Sequence, residues 1–507
     1  MPSAASEQVV QGTNVYVKSI FGRGNATFSS KDVKAKSQLM FVAKPLIVAL
    51  ETAKLSTTCY SCLQSTGESG SPFADLDHAR NLKRCSGCKV VKFCDQHKAG
   101  LLAEGEWKRL LALEDHQDQL RREGGERWED LMLMAQGIKS YSGSEQSLEL
   151  ILRLICILTV NSFTLTSQSL DSLGLALHPS TALLNHSCDP NAFVRFDISL
   201  ASQQSGFFGH GSIAIHALRD ISENEEITLS YTDNTLPVES RQAELMERYF
   251  FKCSCNLCAK GSNTSRDNLH KTSRMLSDQE SYRQGLNGMR VGIDAIKMLL
   301  DIQSHPGMEQ TRVDDLIRIM GELAGAAVWP LYRYPWPQLR HLLLLGLLSS
   351  DRLWEALLQS AILMRAVYPV LYEQRHHPIR MAQMWVLWNI CLYCLQAGIR
   401  GEGSIDEANS KFRMLGLLHC ELIEVISRYS REGTRINGAF EHSIDQAWVS
   451  LASRSGFWAE YREKKEAFGN ETLFWLDSQI RGQLQKEGVS QEIVDLSLGQ
   501  RERLTPG

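Results

Sequence analysis

The cysteines constrain this chain more than any other feature. Nine of its 13 fall into tight groups: Cys59, Cys62, Cys85, Cys88 and Cys94, then Cys188, then Cys253, Cys255 and Cys258. The opening MPSAASEQVV has no basic start followed by an apolar stretch, so no secretory signal is expected. In a reducing compartment, grouped thiols mean metal rather than disulfides. Cys59-x2-Cys62 and Cys85-Ser-Gly-Cys88 are two knuckles of the kind that aim paired thiolates at one ion, and Cys94 and His97 follow closely. Cys253-Ser-Cys255-x2-Cys258 supplies three thiolates, and a structural zinc site takes four ligands. The fourth must come from elsewhere; Cys188, in the polar turn Asn185-His186-Ser187-Cys188-Asp189-Pro190, is the candidate. Cys391-x2-Cys394 has knuckle spacing but lies among Trp388, Ile390, Leu392 and Tyr393. It reads as two core thiols of a buried helix, as do Cys156 and Cys420.

The rest of the chain divides by texture. Residues 13–50 alternate short apolar segments with turn formers and predict strands, interrupted by the turn Gly22-Arg23-Gly24-Asn25. Residues 125–162 predict helix, with Leu148, Leu150, Ile151, Leu154 and Ile155 at helical spacing. Residues 163–235 return to short strands, including Ser212–Ala217 and Glu226–Tyr231. Beyond about residue 270, Leu, Trp, Met and Ala recur three and four apart to the end, the pattern of antiparallel helical hairpins. Asn263–Asp267 reads as a linker. With 54 Lys+Arg against 58 Asp+Glu, no bulk basic charge drives nucleic-acid binding. The apolar stretches Leu342–Leu348 and Met381–Ala397 read as buried helix rather than membrane spans, the second carrying Gln383 and Asn389.

Two separated segments are specific. Residues 180–191, STALLNHSCDPN, and residues 218–231, LRDISENEEITLSY, followed by the CxCx2C cluster, resemble the signature of SET-domain protein lysine methyltransferases. The first cysteine group interrupts this region where a MYND zinc module does in the SET and MYND-domain subfamily. That resemblance implies an α+β fold. A β-rich SET domain with a pseudoknot would be split by a small MYND-type zinc module and followed by an α-helical, tetratricopeptide-like C-terminal domain. The implied boundaries are 13–55 for the first SET segment, 56–118 for the zinc module and 119–160 for a helical insertion. The second SET segment takes 161–235, the post-SET zinc region 236–262 and the helical domain 270–507.

What the resemblance implies about function follows residue by residue. The chain would be an S-adenosylmethionine-dependent protein lysine N-methyltransferase acting on a histone or non-histone protein. Tyr231 matches the catalytic tyrosine. Arg23, Gly24, Asn25, Asn161, Asn185, His186 and Phe251 match cofactor contacts, and Tyr231 also borders the cofactor. Phe163 and Tyr249 match aromatics of the target-lysine channel. Cys188 becomes the fourth ligand of Cys253, Cys255 and Cys258. Cys59, Cys62, Cys85, Cys88, Cys94 and His97 would hold the MYND metal, giving two to three structural zinc ions in all. The MYND ligand pattern breaks after Trp107, where Asp115 and His116 are the nearest substitutes. Asn224 stands where the family has glycine, and asparagine tolerates the left-handed backbone such a turn needs. The competing reading is a non-catalytic adaptor that binds partner peptides through the zinc module and helical domain; intact Tyr231 and Asn185-His186 argue against it. Sequence-specific nucleic-acid binding and membrane association are not expected. The expected location is cytoplasm, nucleus or both.

Overall fold

The computed structural model describes residues 8–9, 14–20, 24–42, 47–60, 63, 82–85, 89–93, 104–166, 172–197, 212–263, 278–305, 309–326, 329–398, 405–431, 444, 447–449 and 456–498. The fold is α+β. It divides into two compact units, one of residues 1–234 with 240–258, the other of 235–239 with 259–507.

The first unit is a set of small sheets rather than one large one. Val15–Ile20 pairs antiparallel with Gly24–Ser29, and Gln8–Val9 adds to its other edge. Ser212–Ala217 lies between Ala192–Asp197 and Gln38–Val42, all antiparallel. Ser172–Leu177 lies between Ile47–Leu50 and Phe163–Thr166. Strand alternation explains the shared core. Val15, Leu39, Met40, Val48, Leu165, Ile213, Ile215 and Ile227 converge into one buried cluster.

The helical insertion consists of Gln117–Glu123, Gly125–Ser142 and Leu148–Asn161. The last is capped by Ser147, whose hydroxyl accepts from the Leu150 amide at 3.2 Å. It buries Ile151, Leu152, Ile155 and Cys156.

The second unit is helical throughout its described residues. Successive helices include Asp278–Ser304, Val313–Gly325, Trp336–Ser349, Leu353–Ile362, Pro378–Gln396, Ile405–Arg431 and Lys465–Lys486. They share one continuous apolar core. Cys391, Cys394 and Cys420 are fully buried in it, and burial pushes the Cys394 and Cys420 thiols up to about 12. They are packing residues, as their apolar sequence context indicates. Among the described residues no helix is long and apolar enough to cross a membrane. Two buried arginines carry ion pairs: Arg340 faces Glu487 at 2.8 Å and Arg365 faces Asp477 at 2.9 Å.

Candidate active site and thiolate centre

Two short segments 43 residues apart form the frame of the site. Asn185–His186 pairs parallel with Thr228–Leu229, Asn185 beside Thr228 and His186 beside Leu229. Two residues per strand cannot hold a parallel ladder alone, so side chains tie it. The fully buried Asn191 does most of this. Its amide donates to the Glu225 carboxylate at 3.0 Å and the Glu226 carbonyl at 2.8 Å, and its oxygen accepts from the Thr228 amide at 2.9 Å. The turn before the second strand carries Asn224 at φ +64°, the left-handed conformation expected where asparagine replaces glycine. The Tyr16 hydroxyl donates to the Asn224 side chain at 2.8 Å. The backbone amide of Asn224 donates to the Ser29 carbonyl, and that of Ile227 to the Thr27 carbonyl.

Tyr231 follows immediately. Its backbone amide donates to Nδ1 of His186 at 2.9 Å, and its hydroxyl donates to the Leu184 carbonyl at 2.5 Å. The ring lies 4.9 Å from that of Tyr249 and 5.3 Å from that of His186, while Phe251 lies 5.8 Å from His186. Burial, with Tyr249 and Glu226 adding to it, pushes the Tyr231 phenol up. It therefore acts as a neutral hydroxyl, not as a phenolate base.

The first strand hairpin meets this frame. The Asn185 amide donates to the Asn25 carbonyl at 3.2 Å and to Glu226 at 2.9 Å. Beside Asn25, Gly24 has φ +76°, and a Cβ placed there would have nothing within 4 Å. The left-handed backbone explains the glycine. Gly24 and Asn25 are exposed, and Asn185 hydrogen-bonds the Asn25 carbonyl beside them.

The thiolates behind the tyrosine come together as the resemblance implied. The sulfurs of Cys188, Cys253, Cys255 and Cys258 all lie within 4.8 Å of one another, with Cys258 and Cys188 3.4 Å apart. Zinc–thiolate bonds of about 2.3 Å in a tetrahedron require sulfurs about 3.8 Å apart, so the set fits a structural zinc ion. Burial lowers His186 to about 4, a shift that nearby Cys255 opposes and Arg241 reinforces, so the imidazole is neutral. Because Nδ1 accepts from Tyr231, the ring proton sits on Nε2, 3.2 Å from the Cys188 sulfur. His186 thus joins the metal ligand to the tyrosine backbone.

Two adjacent residues of Val238–Tyr249 grip the same knuckle. Gln242 accepts from the Cys253 amide at 3.0 Å and donates to its carbonyl at 2.8 Å. The buried Arg241 guanidinium lies 3.9 Å from the Cys258 sulfur. Four thiolates around Zn²⁺ leave a net double negative charge, and Arg241 offsets part of it. Neither residue carries a sequence signal; both sit on an ordinary amphipathic helix. Asn191 was visible as the last residue of the first motif, but its role as a cross-tie was not.

Other sequence-derived residues are placed differently. Phe163 lies in a strand and packs against the shared core; among the described residues its ring does not join the Tyr231–Tyr249–Phe251 group. The Asn161 amide donates to the Glu114 carbonyl at 2.7 Å and the Ile157 carbonyl at 2.8 Å, so it ties its own helix to the segment before the helical insertion. His116 hydrogen-bonds Gln119 at 2.7 Å and packs on Phe250. Among the described residues His116 and Cys85 share no ligand group. Arg23, Cys62, Cys88, Cys94 and His97 lie outside the described residues. The flanks of the two knuckles are described, and they match. The Leu63 amide donates to the Cys59 carbonyl and the Lys89 amide to the Cys85 carbonyl, with Leu63 at φ +63° and Lys89 at φ +57°. A bridge between Cys59 and Lys92 brings the first knuckle onto the Lys83–Arg84 and Lys92–Phe93 hairpin.

Residues 24–232 match the SET domain family model, a span that runs from Gly24 to just past Tyr231. The chain is 27% identical over 273 residues to "SET domain and MYND-type zinc finger protein 6" of Schizosaccharomyces pombe, covering 47% of this chain and 51% of that protein. Over these residues the chain is similar to SET and MYND-type proteins. A more local match, 36% identity over 123 residues, is to "N-lysine methyltransferase SMYD2-A" of Xenopus laevis, covering 24% of this chain and 25% of that one. The chain thus spans about half the length of the yeast relative and less of the frog one. A solved structure titled "Crystal structure of the SET domain of LSMT bound to Lysine and AdoHcy" aligns over 96% of this chain and 94% of that one. Its identity is 13% and its TM-score 0.26, too low to bear on this site.

Proposed function

We propose that the first unit transfers a methyl group from S-adenosylmethionine to a lysine amine of a protein substrate. The observation that carries this is the position of Tyr231. It stands at the end of a parallel pairing with its hydroxyl fixed on the Leu184 carbonyl and its ring against Tyr249. S-adenosylmethionine, when bound, supplies an electrophilic methyl group on a positive sulfur. Gly24, Asn25 and Asn185 are the residues that would hold it. His186 orients the site from behind, and Phe251 adds an aromatic wall.

The chain's own task is to present a neutral, aligned amine. A free lysine has a pKa of about 10.4, so deprotonating it at pH 7 costs about 4–5 kcal/mol. Burial against the Tyr231 and Tyr249 rings disfavours the ammonium and lowers that cost. The Tyr231 hydroxyl spends its proton on Leu184, which leaves its lone pairs to accept an N–H of the amine. This points the nitrogen lone pair along one direction and excludes water from the path, so rate comes from alignment.

The test is transfer of labelled methyl to a lysine-rich protein extract. Tyr231→Phe keeps the ring and loses the hydroxyl, and should lower transfer about 10²-fold. Its affinity for S-adenosylmethionine should stay within about 3-fold of wild type. Equal activity in the variant removes Tyr231 from the role. Cofactor binding by wild type with no labelling of any protein favours an adaptor instead.

A further inference from the structure

The helix Asp278–Ser304 buries one face in the helical core through Val291, Ala295, Leu299 and Ile302. Trp329 closes the same side, donating its indole N–H to the Gly288 carbonyl at 3.2 Å. The opposite face of such a helix should be polar. Instead Met289, Ile293 and Leu300 are 52%, 52% and 56% exposed, and Ile296 between them is half-buried. Their spacing is four, three, four, which is the seam of a two-helix coiled coil. One flank carries Arg290, Asp294, Lys297 and Asp301, all exposed.

Both patterns have a property that scattered surface residues do not. The apolar spacing is unchanged on reversal, and the charge order plus, minus, plus, minus becomes its own complement. Two copies laid antiparallel about a twofold axis keep the same flank on the same side. Arg290 then faces Asp301 of the second copy, and Asp294 faces Lys297. In a parallel pair the two charged flanks would lie on opposite sides of the seam and would not meet. We propose that this face docks a second copy of the chain, antiparallel, through Met289, Ile293, Ile296 and Leu300.

The charges already have partners within one chain: Lys297 lies 3.8 Å from Asp294, and Asp301 pairs with Arg312. Exchanging them selects orientation more than it adds affinity. The stretch 289–300 is about 17 Å long. It covers about half of the roughly 800 Å² per partner of a stable interface. The dimer is therefore weak, with a dissociation constant on the order of 10 µM or above.

Sedimentation velocity on the zinc-loaded full chain, from about 1 to 200 µM, tests this. A reversible monomer–dimer equilibrium is expected. Ile293→Glu, an exposed substitution, should raise the dissociation constant about 10-fold or more without lowering Tm. Asp294→Lys and Lys297→Asp should each weaken association about 3- to 10-fold, and the double swap should return it to within about 3-fold of wild type. A monomer at every concentration overturns the proposal, as does a dimer indifferent to Ile293→Glu or a double swap as weak as the single changes. A monomer whose Tm falls sharply with Ile293→Glu also overturns it, since the face would then be covered by the chain itself.

Discussion

The two units are stabilised by different means. The helical unit has one continuous apolar core, in which nearly every helix buries whole faces. The first unit has a smaller core shared among several short sheets. Its site is held by polar ties between distant segments: Asn191 across the turn, His186 between sulfur and tyrosine, and Gln242 on the thiolate knuckle. A continuous core degrades gradually when one contact is lost. A frame of cross-ties meeting at one metal depends on every tie, which makes the site the more fragile of the two.

Metal removal should separate the units most sharply. Structural zinc contributes on the order of 10 kcal/mol to the fold that binds it. Chelation or Cys255→Ser should therefore abolish amide-exchange protection over residues 185–188, 228–231 and 249–260 and with it cofactor binding. Protection in Val313–Gly325 and Pro378–Gln396 should stay unchanged. Equal loss in both units would erase the contrast. The reverse perturbation is Arg340→Met, which leaves buried Glu487 without its cation at a cost of about 3–5 kcal/mol. Calorimetry should show the helical transition falling while zinc content holds, and Glu487→Met added to it should recover most of the loss.

A finer test concerns the metal's surroundings. Arg241→Met should lower zinc affinity about 10- to 100-fold in a chelator competition, with Arg241→Lys falling between variant and wild type. No difference between the two would mean the guanidinium acts only by packing. The smallest effect belongs to the Asn224 turn. Asn224→Gly and Asn224→Ala both lose the Tyr16 hydrogen bond, so their difference isolates the left-handed backbone. Urea denaturation should show alanine about 1 kcal/mol less stable than glycine.

What the sequence made legible follows from how local each signal is. The CxCx2C cluster, the Asn185–Asp189 turn and Tyr231 are short, ordered motifs, and three thiolates announce a missing fourth. The helical texture beyond residue 270 is periodic and reads directly. Asn191, Arg241 and Gln242 were not legible as cross-ties, because a polar residue's partners depend on which strand or knuckle folding brings to it. Asn161 shows the converse. Resemblance marks it as a cofactor contact, yet its amide protons go to the Ile157 carbonyl one turn back and to the Glu114 carbonyl. The first knuckles are read from spacing; Leu63 and Lys89, one after each, have left-handed backbone, while Cys62, Cys88, Cys94 and His97 lie outside the described residues.

The order of synthesis gives the thiolate centre a further consequence. Cys188 precedes Cys258 by 70 residues. At a translation rate of about 5–20 residues per second, it waits roughly 4–14 s before the last of its companions is made. During that interval the Asn185–His186 strand has no parallel neighbour beyond what has already emerged, and a thiol meant for metal is exposed to oxidants and to stray ions. Because Leu229 and Tyr231 are made before the Cys253–Cys258 cluster, both strand partners are already present when the metal arrives and fixes them. Metal capture thus marks the moment at which the nascent first unit becomes a finished one.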